Sequence, residues 1–303
     1  MKAQIDVCIA TYKRPELLRR LLRSLAGQET GEEFSFAVVV ADNDAEHSAE
    51  GVAREFKDAG GKITYAVEPE QSISLARNKS LSLATAEYIA TIDDDTYADR
   101  RWLLSLYRAI TSYNADVVNG PAVREFPPKT PDYISECPIF NRPNPPTGST
   151  EKYICATVNS LFRRKLIEGV AAPFDPRFGR SGGEDTVFFY QLKKRGCRMI
   201  WCREALVFDP VPSSRANLAW VLKRSFCYGN MHHRYYSNFG AIRGAQSRSS
   251  HIIIGRLGRA VFYLAGVAVN PKYYGMKFLL RAAYHFGILA YHANFRYDEY
   301  GAK

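Results

Sequence analysis

The sequence predicts an α/β fold built on a mainly parallel sheet. Apolar runs rich in β-branched residues alternate with segments of helical periodicity through the first half of the chain. Parallel strands joined by helices of this length imply right-handed crossover connections. With 303 residues and 46% hydrophobic content, the chain is long enough for one large domain or two small ones.

The elements of the first half can be assigned in order from local patterns. The first strand is predicted at residues 5–10, and Pro15 fits the first turn of the helix that follows. Leucines recur at helical spacing up to Leu25, and Gly27 marks the end of this helix. Further strands are predicted at 36–41, 62–67, 88–92 and 116–119, with helices at 48–59, 74–84 and 101–113.

This regular pattern stops at Gly120. Eight of the 15 prolines lie between Pro121 and Pro146, which predicts a long loop that shapes a binding pocket. Later in the chain, two glycines precede an acidic pair, Glu184 and Asp185, and a predicted helix at 186–195.

The chain beyond Arg215 is predicted to be helical, with apolar stretches at 260–269 and 282–290. Each stretch is about ten residues long, whereas a helix needs roughly 20 to cross a bilayer. The flanking arginines suit helices that lie on a membrane surface, and ordinary core helices explain the pattern equally well.

Charge divides the chain into a neutral body and a basic tail. Residues 215–303 carry 13 Lys or Arg against Asp298 and Glu299, a net charge of +11, while residues 1–214 carry 28 basic and 29 acidic residues. This asymmetry indicates an anionic partner: a membrane face, a diphosphate or a nucleic acid. The six cysteines form no C-x-x-C pair, and Asp6 interrupts the first apolar stretch, so we expect reduced thiols and no signal peptide.

Acidic residues stand at the ends of predicted elements. Asp93, Asp94 and Asp95 follow the fourth strand, and Asp42 follows the second. In an open α/β sheet, ligands bind in the crevice beyond the carboxyl ends of the strands. Adjacent carboxylates repel one another unless a cation lies among them, and oxygen ligands suit Mg²⁺ or Mn²⁺. The sequence therefore predicts a metal-assisted site at this edge of the sheet.

The order of these motifs resembles the family 2 glycosyltransferases, which have the GT-A nucleotide-sugar-binding fold. Segments at 72–78, 181–186 and 210–220 are similar to bacterial glucosyltransferases that extend succinoglycan-type exopolysaccharide. The resemblance implies a Rossmann-like GT-A domain with a mixed, mainly parallel sheet over residues 1–214. Residues 215–303 would then form a basic, aromatic-rich helical segment associated with the membrane or the acceptor.

The resemblance also implies a role for each motif residue. Asp185 corresponds to the general base, near a helix N-terminus where the helix dipole favours negative charge, and Glu184 would steer the acceptor. Asp95 corresponds to the metal ligand, and Asp209 stands close to where many relatives place a histidine ligand. The residues that would bind the donor are Thr11, Asp42, Arg77, Asp93 and Asp94, with Asp42 reading the uracil ring.

The reaction that the resemblance implies is an inverting transfer from a UDP-sugar, with UDP-glucose the expected donor and Mn²⁺ or Mg²⁺ the expected metal. The acceptor would be a polyprenyl-diphosphate-linked oligosaccharide. We therefore expect a cytoplasmic protein that is peripheral at the inner face of the plasma membrane and binds its anionic surface.

Other classes fit the sequence less well. A haloacid-dehalogenase-type phosphatase needs threonine where Tyr97 stands, and no G-x-G-x-x-G follows the first strand to bind a nicotinamide cofactor. A nucleic-acid-binding protein is the alternative that uses the basic, aromatic tail, but it leaves the acidic motifs without a role. We therefore expect no nucleic-acid partner.

Overall fold

The computed structural model describes residues 3–150, 156–239, 250–269, 271–295 and 297. It divides into two compact units. The first unit comprises residues 1–123, 143–180 and 184–210, and the second comprises residues 124–142, 181–183 and 211–303.

Strands and helices alternate over residues 3–92 as the sequence predicts, and the elements of the whole chain follow in order. The strands are β1 (Ala3–Thr11), β2 (Phe34–Asp42), β3 (Ile63–Val67), β4 (Tyr88–Ile92), β5 (Tyr97–Ala98), β6 (Val117–Asn119), β7 (Ala122–Glu125), β8 (Asn159–Arg163), β9 (Met199–Trp201) and β10 (Val207–Pro210). The helices are α1 (Pro15–Ala26), α2 (Glu50–Asp58), α3 (Ile73–Leu83), α4 (Trp102–Ser112), α5 (Asp132–Ser135), α6 (Glu184–Lys194), α7 (Leu218–Phe239), α8 (Ser250–Val269) and α9 (Pro271–His292).

Seven strands form the main sheet in the order β3-β2-β1-β4-β8-β6-β9. β8 runs antiparallel to both of its neighbours, β4 and β6, while the other pairs are parallel. A smaller sheet has the order β5-β10-β7. The predicted mixed, mainly parallel sheet is therefore confirmed.

The core of the first unit forms where helices cover the sheet. α1 buries Leu18, Leu21, Leu22 and Leu25, the stripe that its leucine spacing predicts. On α4, the fully buried Trp102 donates its indole N–H to Asn159 Oδ1 at 2.8 Å, so the ring is buried without leaving its polar atom unpaired. These contacts hold β4, and the acidic residues after it, on a rigid support.

The second unit is mainly helical. α9 packs along both α7 and α8, and the approach of α9 to α7 depends on two glycines. A Cβ at Gly229 would overlap the backbone oxygen of Tyr284, and a Cβ at Gly287 would overlap that of Phe226. No described helix is long and apolar enough to cross a membrane.

The division into units differs in detail from the predicted boundary after residue 214. The observed break lies between Pro210 and Val211, and residues 124–142 and 181–183 belong with the helical unit. The proline-rich stretch predicted as a loop contains β7 and the short α5. Within the predicted basic segment, residues 240–249, 270, 296 and 298–303 lie outside the described residues.

Candidate active site

Parallel pairing brings the motif residues of the first unit to one edge of the sheet. β1 pairs with β2 in a register that sets Thr11 beside Asp42. β1 also pairs with β4, which is buried along its whole length and leads directly into Asp93. Because the carboxyl ends of β1 and β4 meet, the Thr11 hydroxyl donates to Asp94 Oδ2 at 2.8 Å.

Arg14 joins two of the three consecutive aspartates. Its Nη1 lies 3.2 Å from Asp94 Oδ1 and 3.2 Å from Asp95 Oδ2. Burial raises the pKa of Asp94 to about 6, while the Arg14 charge and the Thr11 hydroxyl act in the opposite direction. The Arg14 charge therefore offsets the repulsion between the two neighbouring carboxylates.

The Asp95 backbone is also fixed from α1. Arg20 donates Nη2–H to the Asp95 carbonyl oxygen at 2.6 Å, and its guanidinium lies 5.3 Å from the centre of the Tyr97 ring. The Asp95 side chain is 27% exposed, so its carboxylate is partly accessible to solvent. Sequence reasoning gave no role to Arg14 or Arg20. Arg14 lies in the turn between β1 and α1, at the sheet edge where a role could be expected, but nothing in the sequence around Arg20 indicates a role for it.

Arg77 on α3 links the aspartate motif to the acidic pair that begins α6. Its Nη2 contacts Asp93 Oδ1 at 2.9 Å, and its Nη1 forms an ion pair with Glu184. Ser72 caps the helix by accepting from the Leu75 N–H, which fixes the start of α3. The sequence predicts that Arg77 binds the nucleotide. In this structure, its two Nη atoms hold carboxylates from distant parts of the chain.

Glu184 is buried, with 3% of its side chain exposed. Burial raises its pKa to about 7; Arg77 acts in the opposite direction, and the neighbouring Asp185 charge raises it further. In this conformation the Glu184 carboxylate pairs with Arg77, and contact between Glu184 and an acceptor stays a prediction. Gly182 and Gly183 precede α6 with φ of +77° and +91°, a backbone conformation that L side chains rarely adopt.

Asp185, the predicted general base, lies at the start of α6 and is half-buried. Its Oδ1 accepts the Thr186 N–H at 2.6 Å. Burial raises the pKa of Asp93, Arg77 lowers it, and the nearby Asp185 charge is among the causes that raise it. Asp93 and Glu184 therefore both contact Arg77, and Asp185 lies near enough for its charge to act on each of them.

Asp42 has a different environment from the one predicted. It is completely buried, and its Oδ2 accepts from the Ala49 N–H at 2.8 Å and from the Tyr65 hydroxyl at 2.8 Å. Its Oδ1 accepts the Asp44 N–H at 3.2 Å. In this conformation Asp42 caps the turn after β2 and presents no surface to a uracil ring. Contact between Asp42 and a base remains a prediction that would require this turn to open.

Within the described residues, no group of three or more His, Cys, Asp or Glu side chains is arranged to hold a metal ion. Asp209 is 9% exposed, and its place in a metal site with Asp95 stays a prediction. The donor set still fits a metal bound through its substrate, because Mg²⁺ is usually held by one or two carboxylates and phosphate oxygens. The Asp95 carboxylate, 27% exposed at the sheet edge, would be the protein ligand of such a metal.

The aspartate motif lies beyond the carboxyl ends of the parallel strands, where enzymes with an open α/β sheet bind their ligands. Residues 6–170 match the family model described as "Glycosyl transferase family 2". This match covers more than half of the chain, and it shows that the chain belongs to glycosyltransferase family 2 and is an enzyme of that class.

Two curated relatives show how far the similarity extends. The chain is 32% identical to the succinoglycan biosynthesis protein ExoM of Rhizobium meliloti. The alignment is 307 residues long and covers 99% of this chain and 96% of the relative. The chain is also 25% identical to a glucosyl-dolichyl phosphate glucuronosyltransferase of Haloferax volcanii over 240 residues, which cover 76% and 75% of the two chains.

Solved structures confirm the GT-A fold. The mannosyltransferase PcManGT of Pyrobaculum calidifontis, in complex with GDP-Man and Mn²⁺, superposes with a TM-score of 0.62 at 17% identity, covering 96% of this chain and 87% of the other. Residues 1–349 of S. aureus TarS, in complex with UDP, superpose with a TM-score of 0.54 at 15% identity, covering 98% and 93% of the two chains.

Proposed function

We propose that this enzyme transfers a sugar, with glucose as the expected unit, from a UDP-sugar to a lipid-linked oligosaccharide in exopolysaccharide biosynthesis. The observation that carries the proposal is the cluster in which Arg77 joins Asp93 of the aspartate motif to Glu184, next to Asp185. The pathway and the lipid-linked acceptor are supported by the 32% identity to a succinoglycan biosynthesis protein over nearly the whole chain.

The donor would bind at the carboxyl ends of β1 and β4. Structures of the same fold have been solved with UDP and with GDP-Man and Mn²⁺, which supports a nucleotide-sugar donor. Thr11, Asp93 and Asp94 lie at this edge, and Asp95, together with the donor's phosphate oxygens, would hold Mn²⁺ or Mg²⁺. The ion's charge would stabilise the diphosphate as it leaves.

Asp185 is the proposed general base. Its carboxylate takes the proton from the acceptor hydroxyl while that oxygen forms a bond to the anomeric carbon, and the electron pair of the broken bond leaves with UDP. Because the attack comes from the face opposite UDP, the anomeric configuration inverts. General-base assistance of this kind contributes roughly 10²–10⁴-fold to the rate.

Arg77 and Glu184 are proposed to position the two reacting halves of the site. Arg77 lies between the aspartate motif that follows β4 and the acidic pair that begins α6. A fixed arrangement matters because a misplacement of about 1 Å can reduce the rate of an oriented reaction by about 10²-fold. In this role Glu184 needs no contact with the acceptor.

A lipid-linked acceptor requires the enzyme to work at a membrane. We propose that it is peripheral on the cytoplasmic face, where the basic charge of residues 215–303 is attracted to anionic lipid. Each Lys or Arg close to such a surface contributes about 1 kcal/mol.

A panel of nucleotide sugars, assayed for UDP release with Mn²⁺ and with Mg²⁺, tests this proposal directly. We expect Asp185→Asn to abolish transfer while UDP binding, measured by calorimetry, is retained. We expect Asp95→Ala to lose donor binding as well, because the metal would lose its carboxylate. Asp58→Asn, at the exposed end of α2, is the matched control and should behave as the wild type. Normal transfer by Asp185→Asn would remove Asp185 from the role of base.

A further inference from the structure

α8 exposes a wide apolar surface. Ile254, Leu257, Val261 and Leu264 recur at intervals of three and four residues, so they lie on one side of the helix, and we call them the α8 face. They are exposed by 65%, 48%, 55% and 41%. Phe262, at the edge of this face, is exposed by 65%. Contiguous exposed apolar patches of this kind mark interaction sites.

The opposite side of α8 packs on α9. Ala260 is fully buried there, and the Tyr263 ring lies 5.1 Å from the Phe278 ring and stacks on the His285 ring at 5.7 Å. A Cβ at Gly266 would contact the Phe278 ring, so this side of the helix is closely packed. The second unit therefore already buries one side of α8, and the α8 face is a second apolar side.

The part of the chain that carries the α8 face is basic. Arg256 and Arg259 on α8 and Arg281 on α9 all act electrostatically on His285, which lies against the side of α8 that packs on α9. The sequence contains no Asp or Glu between Pro210 and Tyr297, and residues 215–303 carry a net charge of +11. The α8 face is therefore an apolar side of a helix in a cationic segment.

We propose that the α8 face is the membrane-contacting surface of the enzyme, inserting its apolar side chains into the interfacial region of a bilayer that contains anionic lipids. This proposal rests on the proposed function, because a lipid-linked acceptor explains why the enzyme binds a membrane. An apolar helix side in a cationic segment matches acyl chains together with the anionic headgroups above them. No described helix can span a bilayer, and the proposed contact is one in which α8 lies on the membrane surface.

Two other occupants fit the same surface less well. A second copy of the chain in a two-fold interface would bring the same cationic segments of both copies together, where like charges repel. A nucleic acid would satisfy the arginines but would offer no apolar surface for Ile254 and Val261.

Co-sedimentation of the full-length protein with vesicles tests the proposal. Vesicles of phosphatidylcholine alone are compared with vesicles of phosphatidylcholine and phosphatidylglycerol, at low and high salt. We expect binding to the phosphatidylglycerol vesicles, weakened by salt. Val261→Glu should reduce the partition coefficient by about tenfold or more, since it places a charge in the apolar contact.

The chain offers a matched control, Val170→Glu, at a valine of the first unit that is 41% exposed. It should bind vesicles as the wild type does. Ile254→Glu, at a more exposed position of the α8 face, provides a second variant, and circular dichroism checks that each variant is folded.

The proposal is overturned if Val261→Glu and Ile254→Glu bind vesicles as the control does. It is also overturned if both variants convert a dimer to a monomer in light scattering, or if they lose binding to an oligonucleotide but not to vesicles. An assay of UDP release from a nucleotide sugar, run without lipid acceptor, tests the enzymatic proposal separately from the membrane contact. An enzyme that uses no nucleotide sugar but binds vesicles through the α8 face would leave the membrane contact standing and refute the proposed function.

Discussion

Replacing Arg77 with methionine tests the link between the two acidic motifs. The Arg77 side chain is 13% exposed, and its partners differ in burial: Glu184 is 3% exposed and Asp93 is 36% exposed. Removing one partner of a buried ion pair costs about 3–5 kcal/mol, whereas an exposed pair contributes about 0–1 kcal/mol. Most of the free energy of unfolding that the Arg77→Met variant loses should therefore come from Glu184, which is left buried without its cation.

The size of this loss should depend on pH. Burial raises the pKa of Glu184 to about 7 while Arg77 lowers it, so removing Arg77 raises this pKa further. Near pH 8 the variant either keeps Glu184 as a buried carboxylate without its cation or protonates it at a pH where a free carboxyl group is ionised. Both cost free energy, and the free energy of unfolding should fall by about 3–5 kcal/mol. Near pH 5.5 Glu184 is protonated in both proteins, and the loss should fall to that of an ordinary hydrogen bond, about 1 kcal/mol.

Urea unfolding, followed by tryptophan fluorescence at both pH values, measures the difference. Arg54→Met provides the matched control, because Arg54 pairs with Glu50 at 3.2 Å on the surface and is 70% exposed. Its loss should be about 0.3–0.5 kcal/mol at either pH. The reasoning fails if Arg77→Met is no more destabilised near pH 8 than Arg54→Met, or if its loss does not shrink near pH 5.5.

Two further predictions concern helix packing and titration. Gly287→Ala should lower the melting temperature in calorimetry, because its methyl group would overlap the Phe226 carbonyl oxygen and overpacking costs about 1–3 kcal/mol. Gly275 lies on the same helix with open space around it, so Gly275→Ala should raise the melting temperature slightly through a gain in helix propensity of about 0.5–1 kcal/mol. Equal melting temperatures for the two variants would contradict this account. Because the folded-state pKa of Glu184 is raised from 4.5 to about 7, its contribution to wild-type stability is present below about pH 4.5 and is lost as the pH rises through about 7. Glu184→Gln should therefore lose less stability over that range, and parallel unfolding curves for the two proteins would refute the assignment.

Local patterns were sufficient to predict the alternating elements of the first unit. Pro15 and Gly27 predicted the limits of a helix that runs from Pro15 to Ala26, because both residues act on the backbone nearest to them. β8 was not predicted. It is five residues long, follows the proline-rich stretch, and is placed antiparallel between β4 and β6 by its neighbours in the sheet. Strand order and direction depend on contacts distant in sequence, which periodicity does not report.

The candidate site shows the same limit. The position of Asp93, Asp94 and Asp95 at a strand end could be predicted, because a buried apolar run must end where the charges begin. The partners of the long cationic side chains could not. Arg77 was expected to face a nucleotide, and Arg20 carried no signal at all, yet both contact the aspartate motif. A flexible side chain reaches whichever carboxylate the tertiary fold brings near, so its destination is decided after the backbone is placed.

Asp42 shows why one residue can satisfy two interpretations of a sequence. A ligand-reading carboxylate and a turn-capping carboxylate both belong at the end of a buried strand, since each must accept hydrogen bonds where the backbone ladder stops. The distinguishing feature is the supply of donors, and here the Ala49 N–H and the Tyr65 hydroxyl, both at 2.8 Å, occupy one oxygen from inside the protein. Removing these donors for a uracil N–H would leave the turn uncapped, at about 1–3 kcal/mol for each unpaired buried group. Base recognition by Asp42 would therefore have to offset the loss of the turn, which makes Asp93, with 36% of its side chain exposed, better placed to contact the donor.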